Sequence, residues 1–102
     1  MISTETLAQI IRMRHDQKRE DHHLRTVIED LNEDEQAELV AIMWIGRGSF
    51  EADDFDEAIR TAKSEATIPT ADYLLGTPHL ADHLEAGIEA LGIDLDEDGT
   101  DV

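Results

Sequence analysis

Apolar positions recur along this chain at helical spacing, and nowhere with the alternation of a strand. The first stripe is Leu7, Ile10 and Ile11, with Arg14 in phase, behind Ser3 or Thr4 as cap and Glu5 in the first turn. From Arg12 to His23 the pattern dissolves into RMRHDQKREDHH, then returns at Leu24, Val27, Ile28 and Leu31. The two stripes are close to in phase, so one continuous helix stays open. The polar stretch favours a break near residues 17–22. Asn32 followed by Glu35 is a capping-box pattern, and Glu33, Asp34 and Glu35 suit the positive end of a helix dipole. After Glu38 every residue through Ile45 is apolar. A helix that is apolar all round must be covered on several sides. The pattern therefore predicts a central helix near residues 33–46, or the seam of a dimer, with Gly46 or Gly48 as its C-cap.

Further along, Asp53 or Asp54 opens a helix with Phe55, Ala58, Ile59 and Ala62 facing inwards. Residues 66–69 read as a linker, and Thr70 as the cap of a short helix closed by Gly76. Thr77 and Pro78 read as N-cap and first residue of a last helix. Its apolar face is Leu80, Leu84, Ile88 and Leu91, and Gly92 ends it. The prediction is all-α: a compact bundle of five to six helices in one domain, residues 1–92. An acidic tail over 93–102 is expected to be mobile.

Composition sharpens this picture in three places. The chain has 102 residues, 40% of them hydrophobic, and its only aromatics are Trp44, Phe50, Phe55 and Tyr73. Aliphatic packing must therefore supply most of the core. The net charge of −17 is unevenly spread: residues 1–25 carry +1, whereas residues 26–102 carry −18. Such a body repels phosphate backbones and anionic lipid, which argues against nucleic-acid and membrane partners. It suits a basic protein partner, or a second subunit whose basic arm lies on the acidic body. Cysteine is absent, which removes disulfides, thiolate metal sites and cysteine nucleophiles. The longest apolar run has seven residues, where a membrane span needs about 20. No secretory signal pattern opens the chain, so a cytoplasmic location is expected.

Candidate chemistry is sparse. Arg47 lies between two glycines and close to Trp44 and Phe50, so it could anchor an anion or carboxylate. A cation at a helix C-terminus also answers the dipole and the last carbonyls, and this structural role is favoured. Tyr73 could donate or accept in a binding site, although a core ring with its hydroxyl at the edge is commoner. His79 and His83 are four apart on the last helix, a spacing that can put two imidazoles on one metal. No further ligand is placed beside them, and surface histidines are the simpler reading. The tail segment Asp94–Gly99 has the spacing of half an EF-hand loop, but its twelfth-position glutamate would fall beyond Val102. A helix-turn-helix reading around Gly76–Pro78 fails because the second helix carries Asp82, Glu85 and Glu89 and no lysine or arginine. No nucleophile–base arrangement or phosphate-cradling loop stands out, and no cofactor is expected.

Two segments resemble a known family. DLNEDEQAELVAIMWIGRG (Asp30–Gly48) and YLLGTPHLADHLEAGIEALG (Tyr73–Gly92), in that order, look like a family of small bacterial proteins catalogued as domain-of-unknown-function 3775. The likeness runs from about Leu24 to Gly92. It implies a helical, largely proteobacterial protein with no established activity to carry over.

The leading expectation is a non-enzymatic interaction or regulatory module that self-associates, for example as a homodimer. The alternative is a small-ligand or metal-binding protein or enzyme built on Arg47, Tyr73 and the pair His79/His83, and the binding candidates are Trp44, Arg47 and Tyr73. A third is an acidic mimic of nucleic acid that occupies a basic partner.

Overall fold

Six α-helices and one 3₁₀ turn make up the described part of a computed structural model of the chain, which covers residues 2–15, 21–65 and 68–93. In order they are α1 (Thr4–His15), α2 (Asp21–Glu29), α3 (Glu33–Arg47), the 3₁₀ turn (Ala52–Asp54), α4 (Phe55–Ser64), α5 (Thr70–Leu75) and α6 (Leu80–Leu91). Among the described residues there is no strand. Residues 16–20, where most of the expected break falls, and 94–102, which hold the acidic tail and its half EF-hand pattern, lie outside them.

The helix ends show how local chemistry sets the boundaries. Ser3 caps α1, its hydroxyl accepting from the Thr6 backbone N–H at 3.1 Å. Asn32 forms the full capping box of α3: its side chain accepts from Glu35 N at 2.8 Å, and the Glu35 carboxylate accepts from Asn32 N at 3.0 Å. Gly48 and Gly92 close α3 and α6 in the left-handed conformation, at φ 95° and 74°. In each case the following residue donates back to the carbonyl five positions earlier, Ser49 to Trp44 and Ile93 to Ile88. Gly48, rather than Gly46, is therefore the α3 cap.

The chain between α5 and α6 differs from expectation. Thr77 and Pro78 do not open α6. The buried Thr77 hydroxyl donates to Tyr73 O at 2.9 Å and its N–H to Leu74 O at 3.0 Å, so Thr77 closes α5 instead. His79 then takes φ 57°, a left-handed position uncommon for a side-chain-bearing residue, and α6 begins at Leu80. Thr70 is likewise the first residue of α5 rather than its cap, which is Pro69.

Helix α3 is the centre of the molecule. It packs on α6 along one side and on α4 along another, and also meets α5, while α1 lies on α6 and α2 on α5. All side chains from Leu39 to Ile45 are buried, none more than 9% exposed. The chain's own helices thus cover the apolar run without a second copy. Leu7 and Ile10 (α1), Leu24 and Ile28 (α2), Leu39, Ile42 and Met43 (α3), Leu74 (α5) and Leu80 and Leu84 (α6) are fully enclosed. Burying one such side chain is worth roughly 1.5–3 kcal/mol. Helix α4 contributes only the small side chains Ala58 and Ala62 to the buried set.

The α3–α6 contact is unusually close. A methyl group built at Gly46 would lie 1.7 Å from the His83 carbonyl oxygen, and one at Gly87 would lie 2.1 Å from the Ile42 carbonyl oxygen. Ile42 to Gly46 and His83 to Gly87 each span four residues, so every glycine sits against the carbonyl one turn before the other. The backbones themselves form the contact.

Candidate binding groove

Trp44 leaves α3 on the side facing α5. Its indole Nε1–H donates to the Tyr73 hydroxyl oxygen at 2.9 Å. After the Gly48 turn the chain folds back, and Phe50 stacks on Trp44 with ring centroids 5.6 Å apart and planes 23° from parallel. Trp44 is buried and Tyr73 half-buried, so the pair ties the end of α3 to α5 and leaves the tyrosine edge at the surface. Among the described residues the Tyr73 hydroxyl proton has no acceptor.

Beside this pair runs a groove. Its first compartment, about 180 Å³, is lined by Val40 and Trp44 of α3, Ala62, Glu65, Ile68, and Thr70 and Tyr73 of α5. A second, about 310 Å³, shares Val40, Ala62, Ile68 and Thr70 and continues to Glu33, Gln36, Ala37, Lys63 and Pro69. The shared residues make these two halves of one trough along the α3 stripe 33, 36–37, 40 and 44. The cause is side-chain size: Ala37, Val40 and Ala62 are too short to fill the space between α3 and the end of α4. At the rim, Ile68 is 52% exposed, the one large hydrophobic side chain so exposed among the described residues.

The polar rim carries two carboxylates and one ammonium. Glu33 stands at one end and Glu65 near the other. Lys63 reaches from α4 to Asp34 in the first turn of α3, Nζ to Oδ1 2.5 Å. The hydrogen bond from Lys63 holds the Asp34 carboxyl below its usual range, and the same bond raises Lys63 above its own. Both groups are exposed, so the bridge adds little stability. Gln36 is committed elsewhere, its amide donating to Ile28 O at 3.0 Å and Leu31 O at 3.3 Å.

Of the residues singled out from sequence, the structure brings Trp44 and Tyr73 together and leaves Arg47 apart. Arg47 is exposed at the end of α3, its Nε–H donating to Ser49 Oγ at 3.1 Å, and it lines neither compartment. His79 is exposed, with Nδ1 3.8 Å from Asp82 Oδ2. Among the described residues no group of three or more His, Asp or Glu side chains is arranged to hold a metal ion. Val40, Ala62, Glu65, Ile68 and Thr70 are not among the binding candidates the sequence offers. The available signal was Ile68, an apolar residue inside a predicted linker.

The family comparison agrees with the two resembling segments. A family model described as "Protein of unknown function (DUF3775)" matches residues 21–93. The chain belongs to the DUF3775 family. The matched span takes in α2 to α6 and every residue lining the groove, whereas α1 lies outside it. No curated protein and no solved structure matches the chain. No helix among the described residues of this DUF3775 member is long and apolar enough to cross a membrane.

Proposed function

We propose that this DUF3775 chain is a non-enzymatic interaction module that docks an apolar-anchored segment of a basic protein partner in the groove between α3, α4 and α5. The observation that carries this reading is the pairing of exposed Ile68 with a trough floored by Val40, Ala62 and the Trp44 edge, where every other large apolar side chain among the described residues is at least partly buried. The shape favours a peptide over a small molecule. Small-molecule sites are largely enclosed, whereas both compartments of this trough are open to solvent. Its compartment beside the aromatic pair is of side-chain size at about 180 Å³. The net charge of −17 selects for a basic partner and against anionic ligands.

Self-association belongs to the same proposal in reduced form. With Leu39–Ile45 covered by the chain itself, its support is the contrast between the basic first 25 residues and the acidic remainder. A second copy is then one occupant the test can detect, by sedimentation at micromolar concentration.

The test titrates isotope-labelled protein with synthetic amphipathic leucine–lysine peptides. Shift changes should gather at Val40, Ala62, Thr70 and Tyr73, and Ile68→Asp should weaken binding with little effect on melting temperature. Peptides that leave the groove unperturbed, or perturb it equally in the Ile68→Asp variant, overturn the proposal.

A further inference from the structure

The Trp44–Tyr73 hydrogen bond fixes how the phenol can act. An indole N–H can only donate, so the phenol oxygen is its acceptor and the phenol proton is directed away from Trp44. Among the described residues nothing accepts that proton. The bond received from Trp44 polarises the hydroxyl and makes it the stronger donor. The half-buried ring lines the compartment of about 180 Å³ together with Val40, Ala62 and Ile68. Thr70 lies three residues earlier on α5, so it shares a helix face with Tyr73, and it lines the same compartment. The Thr70 hydroxyl and the Glu65 carboxylate can both accept there. An apolar hollow is thus bordered by one committed donor and two acceptors.

Resting on the docking role above, we infer that the groove takes its partner as an extended segment: one apolar side chain fills the compartment, and the main-chain carbonyl of that residue accepts from the Tyr73 hydroxyl. A residue that inserts its side chain brings its own peptide groups to the rim. Inside a helix each carbonyl already accepts from the N–H four residues on. In an extended segment carbonyl and N–H both arrive without partners and need them once water is displaced. The carbonyl meets Tyr73, and the N–H meets Thr70 or Glu65. The hollow selects the side chain, and Tyr73 selects the backbone conformation.

Tyr73 is the chain's only tyrosine and Trp44 its only tryptophan, so one can be altered and the other read alone. The probe is a capped five-residue peptide with a central leucine between lysines, too short to hold a helix in water. Its analogue carries an ester at the leucine carbonyl, which is a weaker acceptor. Followed by Trp44 emission, the ester should bind several-fold more weakly than the amide. Tyr73→Phe should weaken the amide peptide and abolish the amide–ester difference. That variant also removes the acceptor of the Trp44 N–H, so protein carrying 3-fluorotyrosine supplies the opposite arm. Its phenol is a stronger donor of nearly the same shape, and in mildly acidic buffer it should bind the amide peptide more tightly. Equal affinity for amide and ester, or a difference that persists in Tyr73→Phe, overturns the carbonyl contact and leaves the docking groove standing. Tighter binding of a side-chain-bridged helical peptide of the same length overturns the extended conformation. If no peptide perturbs Val40, Ala62 or Thr70, both proposals fall.

Discussion

A single methyl group at Gly46 or Gly87 would occupy space already held by a backbone carbonyl oxygen on the facing helix. In an exposed helix interior, replacing glycine by alanine stabilises by about 0.5–1 kcal/mol. Here the clash is with backbone, which cannot rotate away, so the sign should reverse. Gly46→Ala and Gly87→Ala should each cost about 1–3 kcal/mol, as overpacking does. Gly76→Ala is the control: its nearest contact is 3.4 Å at φ −85°, so little change is expected. Urea denaturation of the three variants measures the contrast. Loss at Gly76 equal to that at Gly87 would show that the close crossing is not the cause.

Among the elements, α1 lies outside the matched family segment yet belongs to the core. Leu7 and Ile10 are fully enclosed, Ile2 and Ile11 nearly so, and the Ile2 backbone N–H donates to the Glu38 carboxylate at 2.6 Å. Arg14 donates to the Leu75 carbonyl at 3.2 Å, and Arg25 pairs with Asp72, so the two N-terminal helices are fastened to α5. Ile10→Ala should therefore cost about 2–5 kcal/mol, the usual range for a buried isoleucine, in a single cooperative unfolding transition. A separate early transition for α1 would show it to be an appendage. The helices and the central place of α3 were legible in sequence because they rest on periodicity and on the Asn32–Glu35 cap, which are local signals. The junction at Thr77 was not, since a threonine before a proline can cap a following helix or close a preceding one, and tertiary packing decides. The groove was legible only through Trp44 and Tyr73. Its floor of Ala37, Val40 and Ala62 is defined by what those side chains fail to fill, which depends on how far apart α3 and α4 are held. Gly87 was overlooked for the same reason: a glycine within a helix shows its purpose only when the opposing carbonyl is in view.

At the scale of the whole molecule, net charge works against compactness. The radius of gyration is 12.9 Å, close to the roughly 13 Å of a compact domain of 100 residues. The described residues alone carry a net −12 of the chain's −17, and self-repulsion among them opposes the folded state. Melting temperature should rise between low and moderate sodium chloride, as screening shortens the reach of that repulsion. A flat or falling curve, followed by circular dichroism, would contradict this. The crossing of α3 on α6 sets a different kind of limit. With a carbonyl seated over each glycine, neither sliding nor rotation of one helix against the other is possible without driving a side chain into backbone. The pair is built as a fixed frame, and the α3 wall of the groove takes its position from that crossing.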